Sequence, residues 1–302
     1  LTAFHTIGLI GKRGDPRAVE TLNAVATYLV RKRDAGELKS VLMPVDNVPA
    51  VSRLGVDFES IESIATKADL AIVVGGDGTL LSAGRVLAPH GIPILGINQG
   101  RLGFMVDIRP EDMTGALDAL LNGEGVIDER LVLSARVHRA DGSLTASMLA
   151  INDVVVRNQA AIRMLEFQTW LGDEFISDHR ADGLIVSTPT GSTAYALSSG
   201  GPVLHPYVPA LAMVPICPHT LSDRPIVVPL GTPIRIVFGE AAGATMTCDG
   251  QNSEILNPGD TVEINSSESF LRLIHPRGYS YFELLRDKLH WGRSPAGVAD
   301  KS

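Results

Sequence analysis

The first third of the chain alternates two hydrophobic periods. Thr6 to Ile10 is a short apolar run that reads as a buried strand, and a loop with Gly11 and Gly14 follows it. From Ala18 to Ala35, Val19, Leu22, Val25, Ala26 and Leu29 return at helical spacing, with Gly36 as the stop. Leu70-Ala71-Ile72-Val73-Val74 is apolar at every position, as a parallel strand covered on both faces needs to be. Leu80 to His90 predicts a second helix, ended by Gly91; Ile92 to Ile97 predicts another buried strand and Glu111 to Leu121 another helix. Strands alternating with helices predict a parallel α/β sheet.

Near Leu131 the texture changes. Leu131 to Arg139, Ser147 to Arg157, Met164 to Leu171, Ile234 to Phe238 and Phe270 to Ile274 read as strands, several with a period of two. Asp141-Gly142, Gly172-Asp173 and Asn257-Pro258-Gly259-Asp260 are turn signals between them. Tyr281 to Leu289 returns to helical spacing. The expected organisation is an α/β domain over residues 1–130 and a β-rich domain over 131–280, with a helical tail from 281 to 302.

Composition narrows the functional classes. With 302 residues, 45% hydrophobic and 20% charged, the chain has the make-up of a soluble globular protein with a real core; at ~150 residues per domain this is about two domains. No charge-free apolar stretch reaches the ~18 residues of a membrane span, so no membrane is expected as a partner. The first residues place an apolar run ahead of Lys12 and Arg13, the reverse of a signal peptide. The 26 basic and 34 acidic residues leave a net charge of −8, without the basic excess of a nucleic-acid binder. An anionic ligand must then be held by backbone amides, a few Arg or Lys, or a metal. Cys217 and Cys248 form neither a disulfide framework nor a zinc spacing, and they suit a reducing cytoplasm.

Two blocks carry candidate chemistry. Gly75-Gly76-Asp77-Gly78-Thr79 follows a buried strand and precedes a helix. That is the crevice where α/β proteins bind ligands, and the missing Cβ atoms let backbone N–H groups approach a phosphate at a helix N-terminus. A carboxylate beside a polyphosphate needs a task, so Asp77 either takes a proton, binds a metal, or simply caps the helix. The second block runs from Asp182-Gly183 through Thr188-Pro189-Thr190-Gly191-Ser192-Thr193-Ala194-Tyr195 to Pro202. Its small hydroxyl residues supply donors at a helix start and Tyr195 supplies a flat face; the same composition also suits a capped loop-to-helix junction. No G-x-x-x-x-G-K-[ST] occurs and no G-x-G-x-x-G follows the first strand, which sets aside P-loop enzymes and weakens an ordinary dehydrogenase.

Together the two blocks resemble the bacterial NAD kinase family. In the same order, Gly96-Ile97-Asn98-Gln99-Gly100-Arg101-Leu102-Gly103-Phe104, Ile151-Asn152-Asp153-Val154-Val155, Pro218-His219-Thr220-Leu221-Ser222 and Cys248-Asp249-Gly250-Gln251 are similar to further family segments. The resemblance covers residues 69 to 281. Diacylglycerol, sphingosine and, more distantly, phosphofructokinases carry relatives of the first block; the second block is the specific one.

The resemblance implies an N-terminal Rossmann-like α/β domain plus a mostly β C-terminal domain, with the C-terminal segment returning to the first. It implies phosphorylation of the 2′-hydroxyl of the adenosine ribose of NAD, with ATP and a divalent cation, most simply Mg²⁺, in a homodimer or homotetramer. Asp77 corresponds to the catalytic Asp. Gly75, Gly76, Gly78 and Thr79 would admit phosphates, while Asn152 and Asp153 would bind the ribose, Asp153 standing where Glu is commoner. Phe104 would lie beside NAD. Thr193, Ala194, Tyr195, Ala196, Leu197 and Ser198 would line the adenosine. Asp182 would reach the nicotinamide half, from a neighbouring subunit if the active site lies near an interface. Arg163, Arg180 and Gln251 fall where the family has nucleotide contacts. His219 and His275 have no companion at metal-ligand spacing and read as structural. The competing readings are a lipid kinase, which leaves the second block unexplained, and an NAD(P) sensor, in which Asp77 is a needless charge.

Overall fold

The computed structural model describes residues 4–12, 14–47, 55–99, 103–158, 164–220, 222–239 and 243–291. Arg163, Leu221 and residues 100–102 of the family-like segments lie outside them. Five parallel strands, β1 (Thr6–Gly11), β2 (Ser40–Pro44), β3 (Asp57–Glu59), β4 (Leu70–Val74) and β5 (Ile94–Ile97), stand in the order β3-β2-β1-β4-β5. This is the Rossmann-like order, whose direction reverses at β1 and β4. Helices α1 (Pro16–Asp34) and α4 (Met113–Leu121) share one hydrophobic cluster with the sheet, and α2 (Ile61–Lys67) and α3 (Asp77–Leu87) share another. β4 is buried at all five positions, as its unbroken apolar run requires.

The remainder is almost entirely antiparallel strand: β6 (Val126–His138), β7 (Leu144–Ala150), β8 (Asp153–Asn158), β9 (Leu165–Leu171), β10 (Glu174–Ala181), β11 (Gly183–Ser187), β12 (Ala210–Ile216), β13 (Ile226–Pro229), β14 (Ile234–Phe238), β15 (Ala244–Cys248), β16 (Asn252–Leu256) and β17 (Thr261–His275). One turn of helix, α5 (Tyr195–Ser198), follows β11, and α6 (Tyr281–Leu289) follows β17. The second sheet has the order β13-β12-β11-β8-β15-β16. Its inner face and those of β6, β9, β14 and the first half of β17 form one core, from Leu133 and Phe167 to Met213 and Met246. This is a sandwich with period-two burial.

The larger sheet does not stop between the two parts. β17 pairs with β6 through residues 261–266 and 270–275, with a register shift between; on its other edge it pairs with β14 through residues 261–264 and with β5 at Leu273. The strand expected over Phe270 to Ile274 is thus the end of a much longer one. The strand expected from Ser147 to Arg157 is two strands, in different sheets. The chain breaks at Ile151-Asn152, where the backbone N–H groups turn to a carboxylate instead of a neighbouring strand. In α6, Ser280 caps the start, the Tyr281 hydroxyl donates to Leu204 O at 3.4 Å, and Tyr281 and Phe282 pack around His205.

Candidate active site

The glycine block forms the turn from β4 into α3. Gly76 is the N-cap and Asp77 the first helical residue. A Cβ on Gly75 would sit 2.6 Å from Thr79 Oγ1, so the turn closes only around glycine. Asp77 does not cap its own helix. Its Oδ2 accepts the Phe104 N–H at 2.9 Å and its Oδ1 the Met105 N–H at 3.1 Å. Gly103 makes that approach possible, because a Cβ there would stand 2.1 Å from Asp77 Oδ1. The segment after β5 therefore aims the carboxylate. Beside the loop, at the carboxyl ends of β1 and β2, a crevice of about 510 Å³ lies between Lys12, Asp46, Ser60, Thr79 and Ser82. It is next to the point where the strand order reverses.

The second block packs on the break between β7 and β8. Thr188 N–H donates to Asn152 O at 2.9 Å, Thr188 Oγ1 to Ile151 O at 2.6 Å, and Gly191 N–H to Thr188 Oγ1 at 3.0 Å. A Cβ on Gly191 would lie 2.0 Å from Asn152 O. Asn152, Asp153, Ala194, Tyr195 and Gly250 line a cleft of about 380 Å³. Asn152 Oδ1 is buried without a hydrogen-bond partner. Asp153 is 4% exposed, and burial followed by the charge of Asp249 pushes its carboxyl up to about 7. Tyr195 is 42% exposed, a free face on the cleft wall. Thr193 and Leu197 are half-buried and Ser198 is exposed, whereas Ala196 is fully buried against Val155, Ile185 and Val214.

Three sequence-predicted residues stand elsewhere or make other contacts. Arg180 is exposed, and its Nε lies 3.0 Å from Glu166 Oε1 in a different groove. Asp182 is exposed at the start of β11, across the strand from Thr188; five residues of strand put ~17 Å between them. Gln251 Nε2 donates to Gly78 O at 2.9 Å, which ties it to the glycine loop. His219 is exposed and its backbone N–H donates to Arg180 O, while His275 is buried, bonded to Asp107 and stacked on Tyr279. Among the described residues, no three His, Cys, Asp or Glu converge as a metal site.

Sequence reasoning missed the groups that hold the site together. Asp249 follows β15 with a left-handed backbone (φ 52) and a side chain that is 0% exposed. It accepts from Ile151, Asn152 and Asp153 N–H and from Arg85 Nη1, the last at 2.7 Å. Arg130, 1% exposed, is paired with Asp128 and reaches Thr190 Oγ1 at 3.5 Å. Asp249 falls in a family-like segment, but nothing in sequence links it to residue 152. Arg85 reads as an ordinary helix-surface arginine.

A buried amide and a carboxylate line one cleft, and Gln251 ties the turn beside it to a glycine turn that displays a second carboxylate. The class is a nucleotide phosphotransferase. Comparison with known proteins narrows it. The ATP-NAD kinase N-terminal domain matches residues 7–125 and the ATP-NAD kinase C-terminal domain matches residues 151–276, so the chain belongs to the NAD kinase family. An NAD kinase from Teredinibacter turnerae is 43% identical over 296 residues, covering 96% of this chain and 98% of the relative. One from Chromohalobacter salexigens is 44% identical, covering 95% and 97%. The crystal structure of an NAD kinase from Archaeoglobus fulgidus in complex with ATP matches with a TM-score of 0.67 and 26% identity, over 95% of this chain and 98% of that one. Yeast NADH kinase complexed with NADH shares the fold, with a TM-score of 0.88 at 23% identity, over 97% of this chain and 89% of that one. The reaction is the conversion of ATP and NAD to NADP and ADP. Among the described residues, no helix is long and apolar enough to cross a membrane.

Proposed function

We propose that Asp77 takes the proton from the 2′-hydroxyl of the NAD adenosine ribose as that oxygen attacks the γ-phosphorus of ATP. The observation that carries this reading is the Asp77 carboxylate itself, which is turned away from its own helix and fixed by Phe104 and Met105 N–H. Phosphoryl transfer depends on positioning more than on covalent chemistry. Gly75, Gly76, Gly78 and Thr79 admit the phosphates at the start of α3, where free N–H groups and the helix dipole favour negative charge. The crevice beside the loop receives the donor.

Asn152 and Asp153 hold the acceptor ribose. The unpartnered Asn152 Oδ1 accepts one hydroxyl proton, and ionised Asp153 can accept two. The cleft is near the lower end of ligand-pocket volumes and suits the adenosine half of NAD, with Tyr195 against the base. Ala194 edges it, with Thr193 and Ser198 on the same turn, and Phe104 is held at the Asp77 carboxylate through its N–H. Asp182 precedes β11 at the end far from Thr188 and Arg180 lies on β10 of the other sheet; a neighbouring subunit of a homodimer or homotetramer brings them to the nicotinamide half. A divalent cation fits as a passenger on the phosphates, because magnesium needs only one or two protein carboxylates there. Bound there, it neutralises phosphate charge. Two free cysteines suit a cytoplasmic enzyme.

The test is Asp77→Asn. Turnover in an NADP-forming assay with ATP, NAD and Mg²⁺ should fall by ~10²- to 10⁴-fold. NAD affinity by calorimetry should stay within a few fold. A variant with near-native turnover removes the proton-acceptor role.

A further inference from the structure

Arg85, Asp249 and Gln251 form a closed set of contacts between the two halves of the site. Arg85 is two turns along the helix that Asp77 begins. Its Nη1 donates to Asp249 Oδ2 and its Nη2 to Gln251 Oε1, and Gln251 returns to Gly78 O in the glycine loop. On its far side Asp249 gathers the backbone N–H groups of Ile151, Asn152 and Asp153. The Asp249 side chain is wholly buried, and that of Arg85 is 9% exposed. The pair therefore acts on protein groups. Asp249 also has a left-handed backbone, a conformation Asp tolerates better than most residues.

We propose that this triad is a clamp that sets the acceptor segment Ile151–Asp153 in register with Asp77, with Arg85 as the positioning residue that joins the two. The proposal rests on the assignment of Asn152 and Asp153 to the acceptor ribose. Each nucleotide site is built without Arg85: the glycine loop closes on its own residues, and Asp249 keeps its three backbone donors. Their mutual placement is shared: Ile151 packs in one cluster with Leu80, Leu81 and Ala83, Gln251 reaches Gly78 O, and the guanidinium adds the charged contact that joins Asp249 to the helix. A displacement of ~1 Å between reacting groups can cost ~10²-fold in rate while leaving each ligand bound.

The clamp also leaves an electrostatic signature. The charged and titratable groups around Asp153 are Asp249 and Cys248 at the end of β15, Arg85 behind Asp249, and Arg157 and Tyr195 on the cleft wall. Burial and then Asp249 push the Asp153 carboxyl upward, and Arg85 is the ion-pair partner of Asp249. Removing Arg85 makes Asp153 hold its proton to higher pH.

Arg85→Ala should lower kcat by ~10- to 100-fold, with NAD and ATP dissociation constants within about three-fold of native. The acid limb of kcat/KM for NAD should move to higher pH. Arg85→Lys restores one charge but not the two-pronged grip; it should return the acid limb to its native position while kcat recovers only in part. Gln251→Ala, at an exposed residue that leaves the fold intact, should lower kcat a few fold and add nothing to Arg85→Ala. Asn152→Ala, run alongside, should raise the KM for NAD. If Arg85→Ala lowers the melting temperature but leaves kcat and the acid limb native, the pair is only structural and the clamp is wrong. If Gln251→Ala raises a nucleotide KM with kcat intact, Gln251 is a ligand contact and the clamp is again wrong. If Asn152→Ala leaves the KM for NAD unchanged, the acceptor assignment fails, and the clamp fails with it for that separate reason.

Discussion

The two halves of the site are made in opposite ways. The glycine loop is local: five consecutive residues carry the chain from β4 into α3, and they reach other segments through the Asp77 carboxylate, Gly75 N–H and Gly78 O. The acceptor cleft is gathered from three distant stretches, residues 151–153, 188–195 and 247–251, and a single carboxylate 97 residues downstream holds the Asn152 N–H. A phosphate needs backbone donors and room, which glycine provides in any sequence that turns from strand to helix. A ribose must be distinguished by placed acceptors, and placing them takes tertiary contacts. On the proposed reading, the first half takes the phosphates and the second selects the acceptor.

Paired glycine substitutions should separate the halves most strongly. Gly103→Ala puts a methyl group into the Asp77 carboxylate and should cut kcat by ~10²-fold, with NAD binding retained. Gly191→Ala drives a methyl group into the Asn152 carbonyl and should instead raise the KM for NAD, with ~2–4 kcal/mol lost in stability. Steady-state kinetics and thermal melts on both variants measure the contrast; a shared kcat loss would mean that the halves are not separable.

The Asp153 carboxyl sharpens the comparison through pH. Its folded value of about 7 lies above the ordinary 3.8. Below pH ~4 the group is neutral folded or unfolded and contributes no difference. Between ~4 and ~7 the unfolded chain ionises while the fold keeps its proton, so this group's share of stability falls as pH rises and levels off above ~7. Asp153→Asn should therefore be more stable than the native protein at pH 8, by roughly 2–4 kcal/mol, and should show no such gain at pH 4. The KM for NAD should fall as pH rises through ~7 in the native enzyme and stay flat in the variant. Denaturant titrations and NAD saturation curves across that range decide it.

Arg180→Ala should give the smallest effect. The Arg180–Glu166 pair has side chains 66% and 64% exposed, so stability should shift by less than ~0.5 kcal/mol. A rise of a few fold in the KM for NAD at constant kcat would support its role at a neighbouring subunit's cleft. An unchanged KM would return it to the solvated surface.

What sequence made legible follows the same division. The runs around β1, β4 and β5 and the glycine loop are local patterns, and the structure has them within a few residues. The strand read from Ser147 to Arg157 alternates well enough to pass as one piece, but Asp249 captures its middle and sends the two ends into different sheets. No period in that segment carries the signal, because the cause is a side chain from β15's far end. Arg85 is hidden for a related reason: its helix pattern says outward, and only the β-rich half arriving over it makes that face an interior.

β17 gives the molecule a property of another kind. One strand, with a register shift at its middle, is hydrogen-bonded at its first end within the sandwich and at its last end to β5 of the α/β part. Cutting the chain near residue 130 would strip β6 of its first residues and leave the last residues of β17 without a partner. The unit of cooperative unfolding is then the whole protein, with the slowest-exchanging amides along the β6–β17 ladder. A hinge that opens the two parts like jaws would have to tear that ladder.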